Sequence, residues 1–162
     1  MLIDQSRGER GTIFGHDARG KMQWRDSFPD SQGLAIFLGP DAYISPRWYE
    51  TKKETGKVVP TWNYVAIHAR VQVNFFEDTE RIREIVRKLT TCHEADSTEP
   101  WQVTDAPADY VNGELRQIVG FEMPVSSIEG KWKMSQNQVR SKLLERDRLR
   151  DKEVSDQMRR QK

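Results

Sequence analysis

The sequence predicts a mainly β domain with helices, an α+β fold built around a small antiparallel barrel. Three observations predict it. Residues Tyr64 to Phe75 alternate apolar and polar over a dozen positions. Residues 78–94 carry one apolar stripe at helical spacing. The elements follow in the order strand, strand, strand, helix, helix, strand, with a charged helix last, which suits a barrel with helices at its margins.

Each element has its own signal. Residues 4–11 are polar and rich in turn formers. Thr12 to Gly15 reads as a short strand running into His16. Leu34 to Leu38 is a compact apolar run between Gly33 and Gly39-Pro40, which reads as a buried strand. A second short strand, Ala42 to Ser45, is expected to stop at Pro46. In the long strand, Val65, Ile67, Ala69, Val71, Val73 and Phe75 share one face, so that face is core. Asp78 suits a helix N-cap and Glu80 the first turn, with Ile82, Ile85, Val86 and Leu89 forming the buried stripe. Pro107 suits the first turn of a second helix with Tyr110, Val111, Leu115 and Ile118 on its apolar side. Ile118 to Val125 returns to strand character, with Pro124 marking an edge or an end. From about Ser135 the character changes. Residues 1–137 read as one domain and 138–162 as a charged, solvated helical tail.

Composition excludes several classes. The formal net charge of +1 gives no whole-chain attraction to nucleic acid or to a membrane surface. The single cysteine, Cys92, allows no internal disulfide. No apolar run approaches the ~20 residues that span a bilayer, and the first residues turn polar at once, so a soluble cytoplasmic protein without membrane contact is expected. His16, His68 and His93 lack metal-ligand spacing. No phosphate-binding glycine loop, dinucleotide fingerprint or hydrolase nucleophile motif occurs.

Three irregular segments could carry chemistry. Gly15 to Lys21 gathers His16, Arg19 and Lys21 beside two glycines, a set suited to a phosphate, or else a plain polar turn after a strand. The stretch from Gly39 to Tyr64 holds five aromatics and three prolines. It suits a planar heteroaromatic ligand, a dimer interface, or simple aromatic core packing. Glu129 to Asn137 places Lys131 and Lys133 around Trp132 ahead of Ser135, Gln136 and Asn137. It could close over an anion or form only the hinge into the terminal helix. The basic tail could touch nucleic-acid phosphates, but its interspersed acids favour a solvated helix.

Several of these pieces resemble one family. Gly39-Pro-Asp-Ala-Tyr-Ile-Ser-Pro-Arg-Trp-Tyr49, Gly56-Lys-Val-Val-Pro-Thr-Trp-Asn-Tyr64, Pro100-Trp101, Asp105-Ala-Pro107, Ile118-Val-Gly-Phe-Glu122 and Glu129-Gly-Lys-Trp-Lys-Met-Ser-Gln-Asn137 are similar, in order and spacing, to the PaiB-type family of FMN-binding proteins. The resemblance covers about residues 11–137. It implies a split β-barrel of the pyridoxamine-phosphate-oxidase-like kind, a homodimer with FMN at the subunit interface, and a link to negative transcriptional regulation of sporulation and degradative-enzyme genes in a bacillus. It implies no particular reaction. By the same resemblance, His16, Arg19 and Lys21 lie near the FMN phosphate. Ser45, Trp48, Tyr49, Pro60, Thr61, Trp62 and Asn63 lie near the ring or the dimer seam, and Lys133, Gln136 and Asn137 help close the site. The chain departs from the family in two ways. Its opening resembles the tail of a longer N-terminal section carrying a helix and the first strands, and Gly20-Lys21-Met22 stands where the family has Ala-Asn-Pro. An open sheet edge left by missing strands would favour dimerisation. Two other functions compete with the regulatory flavoprotein: a non-flavin dimeric interaction module, and a small flavin reductase carrying hydride on FMN. Direct DNA reading has no helix-turn-helix motif behind it.

Overall fold

The computed structural model describes residues 1–28, 31–49 and 51–136; Asn137 and the expected helical tail lie outside the described residues. Five strands and three α-helices follow in chain order: β1 (Leu2–Asp4), β2 (Thr12–Ala18), β3 (Ser31–Ile44), α1 (Thr51–Thr55), β4 (Thr61–Phe76), α2 (Thr79–His93), α3 (Ala108–Leu115) and β5 (Ile118–Lys133). The strands form one sheet in the order β1-β2-β5-β4-β3. β1 pairs antiparallel with β2, and β2 antiparallel with β5. This is the α+β architecture expected from the sequence. The described residues divide into two compact units, Met1–Ala35 with Ala69–Ser127, and Ile36–His68 with residues 128–136.

In the first unit, Ile13, Ala69, Val71 and Val125 form the core, with Ala35, Val73 and Met123 against it. Helix α2 packs on β2. Asp78 caps it as expected, its carboxylate accepting from the Arg81 N–H at 2.7 Å, and Ile82 and Ile85 are buried. Two glycines admit aromatic rings. Gly15 stands directly opposite Phe121 across the β2–β5 ladder, and a Cβ there would meet the Phe121 ring at 2.7 Å. Gly120 lies closer still under Phe76.

Glu122, on β5, organises a charged cluster in this unit. Its carboxylate accepts from Arg7 Nη1 at 2.8 Å and Nη2 at 3.0 Å, and lies 3.1 Å from Arg81 Nη2. The hydrogen bonds from Arg7, and then from Arg81, hold its carboxyl below the ordinary value of 4.5. A depressed folded pKa means that the ionised group stabilises the fold above the unfolded value, and that this contribution fades as pH falls through the folded pKa. Glu122→Gln should therefore cost about 1–2 kcal/mol at pH 7. Thermal melts at pH 7 and pH 3 check it: the gap between the two proteins should narrow at the lower pH, and an unchanged gap would count against a charge effect.

In the second unit, Ile44, Tyr49, Val65 and Met134 form the core, with Ala42, Trp48 and Val58 packed on it.

Several expectations are corrected. The Leu34–Leu38 run is a strand, but not a buried one: Leu34, Ile36 and Leu38 are 50%, 53% and 76% exposed. The physical reason is position, since β3 is the last strand of the sheet order. Ala42 to Ile44 is no separate strand but the end of β3, because proline on an edge strand removes no ladder bond that is needed. Pro124 does not end its strand. It stands opposite Thr12, beyond which the Val125 N–H still donates to Gly11 O at 3.0 Å, and β5 runs on to Lys133. The residues from His16 to Ala18 belong to β2 rather than to a turn. Tyr110 is 62% exposed and leaves Leu115 as the buried anchor of α3.

Candidate functional site

The second unit contains a cavity of about 280 Å³ lined by Tyr49, Lys57, Val58, Val59, Thr61, Lys133, Ser135 and Gln136. Its walls follow from local sequence. Pro46 opens a 3-10 turn at Pro46–Trp48, and Ser45 Oγ caps it by accepting from the Arg47 N–H at 3.3 Å. That turn delivers Tyr49, 4% exposed, into the core beside the cavity. Thr61 begins β4 and Lys133 ends β5, and Lys133 Nζ donates to Thr61 Oγ1 at 2.9 Å.

The last wall is a constrained turn. Met134 is buried and anchors it. Ser135 takes a left-handed backbone, φ 55°, alone among the described non-glycine residues. Its hydroxyl donates to Asn63 Oδ1 at 2.9 Å, and Asn63 is fully buried. Gln136 closes the turn on itself, its Oε1 accepting from the Met134 N–H at 2.8 Å and its Nε2 donating to Trp132 O.

Chemically, the cavity pairs apolar surface from the Tyr49 ring, Val58 and Val59 with two ammonium groups, the hydroxyls of Tyr49, Thr61 and Ser135, and an amide. Among the described residues, no carboxylate lines it. Such a donor set attracts an anion and suits a phosphate. It therefore fits the charged end of a flavin mononucleotide. The volume sits at the small end of the roughly 300–1,000 Å³ typical of ligand sites, enough for part of such a molecule.

Of the residues singled out from sequence, Tyr49, Thr61, Lys133 and Gln136 meet at this cavity. Ser45, Trp48 and Asn63 support its walls from behind. Pro60 is exposed and does not line it. Trp62 is also outside the lining; its indole Nε1 donates to Asp41 Oδ1 at 3.1 Å and its ring lies 6.2 Å from that of Tyr43. Lys57, Val58, Val59 and Ser135 also line the cavity, and all four fall inside the segments that carry the family resemblance.

His16, Arg19 and Lys21 lie in the first unit. Partial desolvation, helped by the positive amino terminus, lowers the His16 imidazole below its ordinary value of 6.5. Arg19 pairs with Glu77 and donates from Nε to Arg116 O at 2.9 Å. Lys21 Nζ lies 2.7 Å from Asp17 Oδ1, and that contact depresses the Asp17 carboxyl. Among the described residues, no group of His, Cys, Asp and Glu could hold a metal ion. Nor is any helix long and apolar enough to cross a membrane.

Comparison with known proteins places these features in context. A family model described as "Putative FMN-binding domain" matches residues 1–127. The protease synthase and sporulation protein PAI 2 of Bacillus subtilis is 35% identical over 125 residues, covering 77% of this chain and 58% of that protein. Uncharacterized proteins of Emericella nidulans and Aspergillus fumigatus are 37% and 33% identical, each over 64% of this chain and 45% and 46% of their own length. The chain thus spans about half the length of these relatives, which come from fungi as well as a bacterium.

Proposed function

The chain belongs to the FMN-binding domain family whose model it matches, and from that premise we propose that it binds FMN with its own residues and acts as a homodimeric regulatory flavoprotein of the PAI 2 kind. The observation that carries the binding is the cavity where Tyr49, Thr61, Lys133 and Gln136 meet beside Lys57 without an opposing carboxylate. Lys57, Lys133 and the Thr61 hydroxyl hold the phosphate, while Tyr49, Val58 and Val59 offer apolar surface to the remainder of the ligand. Ser45, Trp48 and Asn63 keep these walls in place. The second candidate for the phosphate is the set His16, Arg19 and Lys21 in the first unit, where Lys21 would exchange Asp17 for it. When bound, FMN supplies hydride and one-electron chemistry. Titration of the full chain with FMN, read by flavin fluorescence and visible absorption, tests the binding. Saturation is expected, and a chain that leaves both signals unchanged would refute it.

The dimer rests on a different observation. Leu34, Ile36 and Leu38 leave the β3 edge of the sheet apolar and open, and such edges pair with other chains. Light scattering should give the mass of two copies, and Leu38→Lys should shift it to one. A monomer in the unsubstituted chain would remove the dimer from the proposal. Regulation, in the cytoplasm and without a membrane, follows from likeness to PAI 2, and DNA contact carries no motif of its own.

A further inference from the structure

The walls of the cavity in the second unit are built unequally. Tyr49 belongs to the core, Thr61 and Lys133 to strands, and Ser135 is tied to the fully buried Asn63. Lys57, Val58 and Val59 instead belong to the irregular segment 56–60, which joins α1 to β4. Among the described residues, the backbone hydrogen bonds of this segment stay local. The Gly56 N–H donates to Lys52 O at 3.2 Å, the Lys57 N–H to Thr55 Oγ1 at 3.3 Å and the Val58 N–H to Gly56 O at 3.0 Å. Val58 anchors it on the core of Ile44, Tyr49, Val65 and Met134. Gly56 supplies a pivot: it takes a left-handed backbone, φ 66°, and nothing stands within 4 Å of where a Cβ would be. At the far end Pro60 fixes its own φ and offers no N–H to a neighbour. Backbone so lightly held is the kind that moves when a ligand binds.

Charge and apolar surface give the segment a reason to move. Lys57 and Lys133 line the same cavity, and no described carboxylate lines it with them. Two ammonium groups repel across an empty cavity, and an anion between them reverses the sign. Val59 is 75% exposed, so covering a ligand would take its side chain out of water. Both effects favour a closed arrangement only when a ligand is present, which is the condition for a ligand-driven change. We propose that residues 56–60 form a strap that closes over a phosphate-bearing ligand, Lys57 moving onto the phosphate and Val59 onto the apolar part, with Gly56 as the hinge. The strap rests on the flavin reading of this cavity and adds an order of events to it: the ligand enters an open site and is then covered. Covering slows release more than it alters capture.

The test uses the full chain, with and without saturating FMN, read by hydrogen–deuterium exchange of the 56–60 segment. FMN should slow exchange of the Lys57, Val58 and Val59 amides by about tenfold or more. Riboflavin, which has no phosphate, should leave these amides close to their rates in the free chain. Stopped-flow dissociation gives a second reading. Val59→Ser, at an exposed position, should speed FMN release about five- to tenfold and change the association rate little. If the unsubstituted chain shows no FMN binding by fluorescence, the flavin reading falls and the strap with it. If FMN binds but the exchange rates stay the same, or riboflavin slows them as much as FMN does, or Val59→Ser releases FMN no faster, the strap is overturned and the flavin site stands.

Discussion

Replacing Lys133 with methionine is expected to weaken FMN binding by about ten- to a hundredfold, the loss of one charge-assisted phosphate contact. Methionine keeps the apolar stem and removes only the ammonium. Lys133 is exposed and bonded to Thr61 Oγ1 at 2.9 Å, so the melting temperature should hardly move. Lys57 would remain as the sole cation in the lining, which is why binding weakens rather than vanishes. Riboflavin, which has no phosphate, provides the control. Its affinity should be the same for both proteins. Lys21→Met should cost less than Lys133→Met, because the Lys21 ammonium already has a carboxylate at 2.7 Å and must give it up to bind a ligand. Fluorescence titration of the two variants side by side decides the matter. If Lys21→Met abolishes binding and Lys133→Met does not, the phosphate belongs to the His16–Lys21 segment.

A large stability effect is expected at Gly15. Alanine there would place a Cβ 2.7 Å from the tip of the Phe121 ring. That ring is 8% exposed and packs edge-on against Phe75 at 6.2 Å between centres, so it has nowhere to retreat. The β2–β5 ladder holds the two backbones opposite one another. Overpacking of this kind costs about 1–3 kcal/mol. Chemical denaturation of Gly15→Ala should show a lowered midpoint with an unchanged slope. Gly20→Ala, at a position with open space around it, should be close to neutral. Similar midpoints for the two variants would mean that the ring yields.

The sequence was most legible where one local rule dominated. Helix α2 announced itself through Asp78 and the Ile82–Ile85 stripe, both local signals at fixed spacing. Strand β4 was legible because Val65, Ala69 and Val71 alternate with polar positions for long enough to exclude a helix. Burial was harder, since it belongs to neighbours rather than to a segment. Leu34 to Leu38 has the composition of a core strand, and only the order of the sheet puts it at an edge. The later half of β5, from Ser126 to Lys133, is exposed and carries no apolar alternation, so pattern alone could not extend the strand past Val125. At the site, Tyr49, Thr61, Lys133 and Gln136 were legible from the segments they occupy. Lys57 and Ser135 were not, because their roles arise from convergence of distant stretches and, for Ser135, from a left-handed backbone that nothing in the residue type demands. Arg19 looked like a free cation beside Lys21, yet its partner, Glu77, lies far along the chain and is brought near only by folding.

The pairing of β2 with β5 also sets a timetable. Thr12 waits for Pro124, and Ala18 for Ile118, so β2 gains this neighbour only after about a hundred further residues have been synthesised. Its other neighbour in the sheet is the three-residue strand β1. Contacts so distant in sequence close slowly, and a strand with an open side is exposed meanwhile to association with other nascent chains. Yield during expression should therefore be more sensitive to temperature and synthesis rate than the finished protein's stability would suggest, with slower synthesis in the cold favouring the native pairing.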